Sequence, residues 1–251
     1  MKISVLLIFT LFACSNHLVT PISSLALKED KATYHYADVT GQMIQKRVVK
    51  KNKNRFITAT ELYSSQVSSK KMLEKTIAVS DLGMLTIGKR KRPIMRPFAS
   101  QYSVWLDGKE YFSQIKLNPK TKSLDIIMKS PEKKWQGKKS IKFPEGQYFC
   151  FFSQLVECIK ATEFFRESLR DEQGKLAFTI IWDSYPYYQE LYGISEAAVF
   201  TEAEIAFDGK FENEYRYRLN TSNQVLFYHF DEKFNFSKFM WISQGITITR
   251  R

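Results

Sequence analysis

Residues 211–219 place Phe211, Asn213, Tyr215, Tyr217 and Leu219 on one side of an extended chain and Glu212, Glu214, Arg216 and Arg218 on the other. Side chains alternate across a strand with a period of two, so this segment predicts a strand with one apolar and one charged face. A single such strand is not stable in water and needs neighbours that share its buried face. Comparable strand-length runs follow one another along the chain, at 33–39, 42–50, 55–63, 102–106, 111–117, 124–128, 176–182, 197–207, 224–230, 236–242 and 246–249. Short turns join them, including Thr40-Gly41, Asp107-Gly108 and Asp208-Gly209. Asp-Gly supplies the positive φ angles of a tight hairpin turn.

One segment carries a helical period. Over 154–169, Leu155, Ile159, Thr162, Phe165 and Leu169 fall on one face, with Ser153 as the expected cap and Gly174 as the stop. Three other stretches lack strand alternation. Residues 64–82 are rich in Ser and Lys and predict a short helix over 70–75. Residues 89–97 are basic and broken by Pro93 and Pro97, which predicts a loop. Residues 129–142 are basic and turn-rich.

The fold class expected is therefore mainly β, an antiparallel, strongly curved sheet or open β-barrel with one packed helix at about 154–169. No repeat of solenoid period and no Gly/Ser linker divides 32–251. The expectation is one β-rich domain over 32–251, the alternative being two halves that meet near 150–175. Leu226-Phe227-Tyr228-His229-Phe230 and Phe239-Met240-Trp241-Ile242 are apolar on both faces. Both faces must then be covered, by a helix, a second sheet or a ligand.

The N-terminus carries an export signal. Lys2 precedes the apolar run 3–13, which is too short to span a membrane, since a spanning helix needs about 20 residues. Residues 1–13 read as a signal peptide, and Leu11-Phe12-Ala13-Cys14 resembles the bacterial lipobox. That resemblance implies lipidation of Cys14 and a membrane anchor, with 14–31 as a tether containing Pro21. The alternative is cleavage after Ser24-Leu25-Ala26 and a soluble product. Ser15 stands where enteric lipoproteins retained at the inner membrane carry Asp, so the expected location is the bacterial cell envelope, outer-membrane-anchored and facing the periplasm.

A net charge of +12 draws the chain to anionic surfaces. In an envelope these are lipid headgroups or wall polymers, and an exported chain rarely meets nucleic acid, so no nucleic-acid partner is expected. Lys89, Arg90, Lys91, Arg92 and Trp135 are the candidates for anionic-surface contact; the alternative is that these runs are solvated loops. The chain has three cysteines. With Cys14 lipidated, Cys150 and Cys158 form a disulfide in an oxidising compartment if the chain turns between them, or stay as two buried thiols.

Catalytic signals are missing. His17, His35 and His229 lie in separate segments, and neither HExxH nor paired cysteines at zinc spacing occur. Ser-x-x-Lys at Ser68, Ser113 and Ser130 lacks its companion motifs, and G-x-S-x-G, GxGxxG and Walker A are absent. Neither an enzyme nor a bound cofactor or metal is expected. The aromatic content, Phe 20, Tyr 13 and Trp 4, is concentrated in strands. Core packing accounts for much of it. The other use is a concave apolar face, for which Tyr215, Tyr217, Phe227 and His229 are the candidate ligand-facing residues and Ala197, Ala198, Ala203 and Ala206 leave room.

Long antiparallel strands, a mid-chain helix and a terminal strand ending Gly245-Ile246-Thr247-Ile248-Thr249 resemble envelope proteins of the DUF3108 type, related in architecture to the LolA/LolB lipoprotein carriers. The resemblance covers 32–251 in strand layout and transfers no functional residue. It implies a curved sheet around an apolar cavity. The expected function is a cell-envelope lipoprotein that binds or carries a lipid or other apolar ligand. The alternative is a structural or assembly lipoprotein that contacts anionic membrane, wall polymer or a protein partner through its basic loops.

Overall fold

The computed structural model of the protein describes residues 31–52, 54–65, 71–87, 90–144, 148–187 and 198–251. The signal segment, Cys14, most of the 14–31 tether and Lys89 fall outside these.

Among the described residues, fifteen strands form one sheet. In chain order they are β1 (Lys31–Asp38), β2 (Met43–Asn52), β3 (Arg55–Ser64), β4 (Lys71–Ile87), β5 (Arg90–Leu106), β6 (Lys109–Asn118), β7 (Ser123–Lys129), β8 (Gly137–Lys142), β9 (Phe149–Phe151), β10 (Lys175–Ile181), β11 (Phe200–Phe211), β12 (Glu214–Thr221), β13 (Gln224–Asp231), β14 (Phe236–Trp241) and β15 (Ile246–Arg250). Their spatial order starts in the middle. From β1 a first wing runs through β2 to β8, and on the other side of β1 a second wing runs from β15 back to β9. The seam between the wings is the β1–β15 pair, with Tyr36 opposite Arg250. Every neighbouring pair is antiparallel except β9 with β10. The edges β8 and β9 do not pair with each other; instead the sheet curls until β9 lies on β5, giving an open barrel.

The predicted Asp107-Gly108 hairpin turn is present, with φ of 49° and 75°. Asp208-Gly209 is not a turn. β11 runs on to Phe211, and Gly209, at φ 111°, sits in a bulge that shifts the β11–β12 register. The 70–75 helix is replaced by β4. Thr76 through Ser80 are buried on both faces of this strand, so the alternation that marks a half-buried strand is missing there. The 89–97 loop is likewise a strand, the first half of β5. Along 90–98, β5 pairs only with β4, and Pro97 sits opposite Ser80 beside a bulge at Phe98. A residue without an N–H is tolerated at an edge or a bulge.

The chain between β9 and β10 fills the concave side. A 3-10 turn, Phe152–Gln154, leads into helices α1 (Leu155–Ala161) and α2 (Phe164–Asp171), which together occupy the predicted helical span. They are divided where the Thr162 hydroxyl donates to the Ile159 carbonyl at 2.7 Å and Glu163 turns left-handed at φ 63°. Ser153 does not cap the helix; its hydroxyl donates to Asp183. A Cys150–Cys158 disulfide with Cα atoms 5.9 Å apart ties β9 to α1, the chain turning between them.

This plug meets the two wings differently. Gln154, fully buried, donates to the Ala78 carbonyl at 2.9 Å and to Thr58 Oγ1 at 3.3 Å, and accepts from Ser80 Oγ at 2.6 Å. All three partners belong to the first wing. On the second wing, Phe165 of α2 packs on Tyr217 and Phe230 with ring centroids 4.7 and 4.8 Å away. Each fully buried Phe is worth about 1.5–3 kcal/mol of transfer free energy, against about 1 kcal/mol net for one hydrogen bond.

Candidate functional site

The plug does not fill the barrel. A cavity of about 250 Å³ lies between α1 and the sheet at the β1–β15 seam. Strand alternation decides its wall. On β2, residues 43, 45 and 47 share the inner face, and they present Met43, Gln45 and Arg47. β3 adds Thr60 and Leu62, and β4 adds Glu74 and Thr76. From the second wing come Tyr228, Phe236, Phe239, Ile246 and Ile248, and from the plug Phe152, Leu155 and Val156. The wall is thus mostly apolar, with a few polar groups from separate elements, the composition typical of a small-molecule site.

Those polar groups gather at one end. Asp183 follows β10 in the turn after Trp182, whose indole stacks on Phe152 at 4.5 Å. The Asp183 side chain accepts from both the backbone N–H and the hydroxyl of Ser153. Burial drives its pKa up to about 6, against the lowering effect of the Ser153 bonds and of Arg47. Glu74 keeps part of its surface as cavity wall, yet the protein around it strips water from the carboxyl. That desolvation, reinforced by the charge of Asp183 and opposed by a hydrogen bond from Tyr102, pushes its pKa up to about 7. Arg47 is held by Glu157 of α1 at 2.5 Å, in a pair whose side chains are 12% and 14% exposed. This bridge pins α1 to β2 and satisfies the cation from outside the cavity.

The wall only partly matches the residues singled out in the sequence. Tyr217 and Tyr215 do lie on the inner face, but Tyr217 is buried under α2, where its hydroxyl meets Ser168 Oγ at 3.0 Å, and Tyr215 packs on Phe234. They form core, not cavity. Phe227 and His229 lie on the outer face, which corrects their assignment. The register pairs Tyr217 with Tyr228 and Arg216 with His229, and residues directly opposite share a face. Tyr228, between the two, is the residue that reaches the cavity. His229 is held outside by Glu214 at 3.1 Å, its pKa lowered by burial against the pull of that carboxylate. The Arg216 guanidinium lies 5.1 Å from the Phe227 ring.

The basic residues are also dispersed. Of Arg90 only the backbone is described, and Lys91 is exposed on β5. Arg92 is no surface contact: it reaches Glu167 of α2 at 2.7 Å and the Thr162 carbonyl at 3.3 Å, tying the first wing to the plug. Trp135 packs edge-on against Tyr111 and Tyr187, and Lys134 lies 3.8 Å from its ring. Ala203 lies opposite Phe178 in the β10–β11 ladder, away from the cavity wall, and Ala197 is outside the described residues.

Glu74 and Asp183 were not found from the sequence. β4 gave no strand signal, and Asp183 sits in a turn that alternation does not reach. Two wider grooves, of about 1000 and 780 Å³, open on the surface beside Leu85 and Tyr148, but neither holds a buried carboxyl. Among the described residues no helix is long and apolar enough to cross a membrane, and no three His, Cys, Asp or Glu side chains are placed to hold a metal ion.

No protein-family model and no curated protein sequence matches the chain. Among solved structures, it is similar to the crystal structure of a β-barrel-like protein of domain of unknown function DUF1849 from Brucella abortus, at 11% identity and a TM-score of 0.37, over 88% of this chain and 94% of that one. The resemblance to DUF3108-type and LolA/LolB proteins has no family match behind it. The open-barrel fold rests on this chain's own strand pairing.

Proposed function

We propose that this is an exported, lipid-anchored protein of the bacterial envelope that binds an apolar or amphiphilic small molecule in the cavity at the seam of its two wings. The observation that carries the reading is the cavity wall itself, in which apolar side chains from five strands and α1 surround a void whose wall also carries Glu74, Asp183 and Ser184. At about 250 Å³ the cavity lies just below the ~300 Å³ at which small-molecule pockets begin. That size suits a small molecule or one short chain. Envelope location and anchoring rest on the 1–13 run and Cys14.

Native mass spectrometry of the full chain purified from its own envelope tests the binding. The expected result is a small molecule released on denaturation, and its loss from an Ile248→Trp variant whose indole fills the void. An empty wild-type protein, or an Ile248→Trp protein loaded equally, overturns the reading. For the anchor, Cys14→Ser is expected to move the protein from the membrane to the soluble fraction.

A second reading, attachment to anionic lipid or wall polymer, is favoured by the edge strand β8, where Lys138, Lys139 and Lys142 are all exposed. Edge lysines also block pairing with other chains, so the two roles need separating. Salt-sensitive binding to anionic vesicles that is lost in Lys138→Glu/Lys142→Glu would support attachment.

A further inference from the structure

The cavity's polar end selects what kind of ligand it takes. Glu74 comes from the first wing and Asp183 from the second; both line the cavity, and the charge of Asp183 raises the Glu74 pKa. Arg47, on the same wall, is bonded to Glu157 at 2.5 Å, and its charge lowers the Asp183 pKa without offsetting the effect of burial. A third group points the same way. Ser184, 3% exposed, lines this cavity, and its Oγ has no hydrogen-bond partner among the described residues. A buried hydroxyl left unpaired costs about 1–3 kcal/mol unless something arrives to meet it. We infer that this end of the cavity takes the protonated primary amine of a single-chain amphiphile, with Glu74 and Asp183 as its counter-charges and Ser184 Oγ as a further acceptor. The inference rests on the cavity being a ligand site and specifies the ligand's head.

The chemistry separates this head from its competitors. A primary ammonium carries three N–H donors, matching three acceptor groups that converge from two wings. A quaternary ammonium has none to give. A carboxylate head would face two carboxyls with the nearby guanidinium already engaged. A hydroxyl head donates one bond and carries no charge. The apolar tail then lies along Phe236, Phe239, Ile246 and Ile248.

Binding moves a proton. The titratable and charged groups that line the cavity with the pair are Arg47 of β2, Tyr102 of β5 and Tyr228 of β13, and Arg47 is already paired with Glu157. Without ligand Glu74, its pKa raised to about 7, is partly protonated near neutral pH. The ammonium supplies the positive charge in its place, and that proton passes to solvent.

Calorimetry on the full chain at pH 7 with octylamine, octanol and octanoate, each in two buffers of different ionisation enthalpy, tests this. Octylamine is expected to bind about tenfold or more tighter than octanol, since charge-assisted bonds are roughly twice as strong as neutral ones. Octanoate is expected to bind weakest, and proton release should accompany octylamine alone. Glu74→Gln and Asp183→Asn should each bring octylamine down toward octanol, with a loss for octylamine at least several-fold larger than any change for octanol. Octanol or octanoate binding as tightly as octylamine overturns the amine head and leaves the apolar cavity standing. If none of the three binds, both fall. The wild-type ranking decides the matter even where a substitution unfolds the chain.

Discussion

The two wings of the sheet bury different chemistry. Across β3 to β6 the inner face carries Thr58, Thr60, Thr76, Ser80, Ser100 and Ser113 beside Ala78, Tyr102 and Ile115. Across β12 to β14 it carries Tyr217, Leu219, Leu226, Tyr228, Phe230, Phe239 and Trp241. The plug answers each in kind, with the Gln154 amide on the first wing and the Phe165 ring on the second. Small hydroxyl side chains hold the plug by a few directed bonds and leave space beside it. Large rings hold it by area and leave little. The cavity lies between the two chemistries, walled by β2, β3 and β4 on one side and by Tyr228, Phe236 and Phe239 on the other, while α1 packs against β5 and β9.

The largest effect should come from the aromatic side. Phe165→Ala removes a 3% exposed ring that touches Tyr217, Phe230 and Phe234, and should cost about 3–5 kcal/mol. At ~2–4 °C per kcal/mol for a chain of this size, thermal denaturation should show a fall of about 6–20 °C. A loss under 1 kcal/mol would mean that the rings are not what holds α2. Gln154→Leu probes the other wing. It strands Ser80 Oγ and the Ala78 carbonyl, and urea unfolding should register a loss of about 1–3 kcal/mol. A loss as large as that of Phe165→Ala would erase the distinction between the wings.

The smallest and most specific effect concerns Glu74. Its folded-state pKa, about 7, lies above the ordinary value of 4.5, so the folded chain holds a proton that the unfolded chain has released between those two values. The unfolded state then binds fewer protons, and stability falls as pH rises through that window. Asp183, raised to about 6 from 3.8, adds a fall of the same sign over its own window. Glu74→Gln should therefore gain stability relative to wild type as pH rises from about 4.5 to 7, and melting curves across that range would show it. A difference that does not change with pH would mean that Glu74 is not desolvated.

Much of this architecture is legible in the sequence. Segments with one wet face, such as β3 and β12, announce themselves by alternation, and Asp107-Gly108 marks its hairpin. β4 is hidden because Thr76 to Ser80 are buried on both sides, and the first half of β5 because Pro93 and Pro97 argue against the strand they sit in. The cavity wall was lost with β4, which carries Glu74. A subtler loss was the face assignment on β13. Ser222 and Asn223, both at positive φ, form a two-residue turn that sets Tyr217 opposite Tyr228, and placing the turn there would have put Phe227 and His229 outside. A one-residue slip moves every side chain of a strand to the other face. Asp183 had no comparable signal, because its neighbour Glu74 is 109 positions away in the chain and meets it only when the sheet curls.

The central claim, a ligand cavity at the seam, is tested most directly by methyl NMR of isoleucine-labelled protein titrated with octanol. Ile246 and Ile248 line the cavity, whereas Ile57 and Ile77 are buried in a separate cluster with Val79. The account predicts saturable shifts at Ile246 and Ile248 with Ile57 and Ile77 unmoved. Shifts that never saturate, or that spread equally over all four methyl groups, would contradict it.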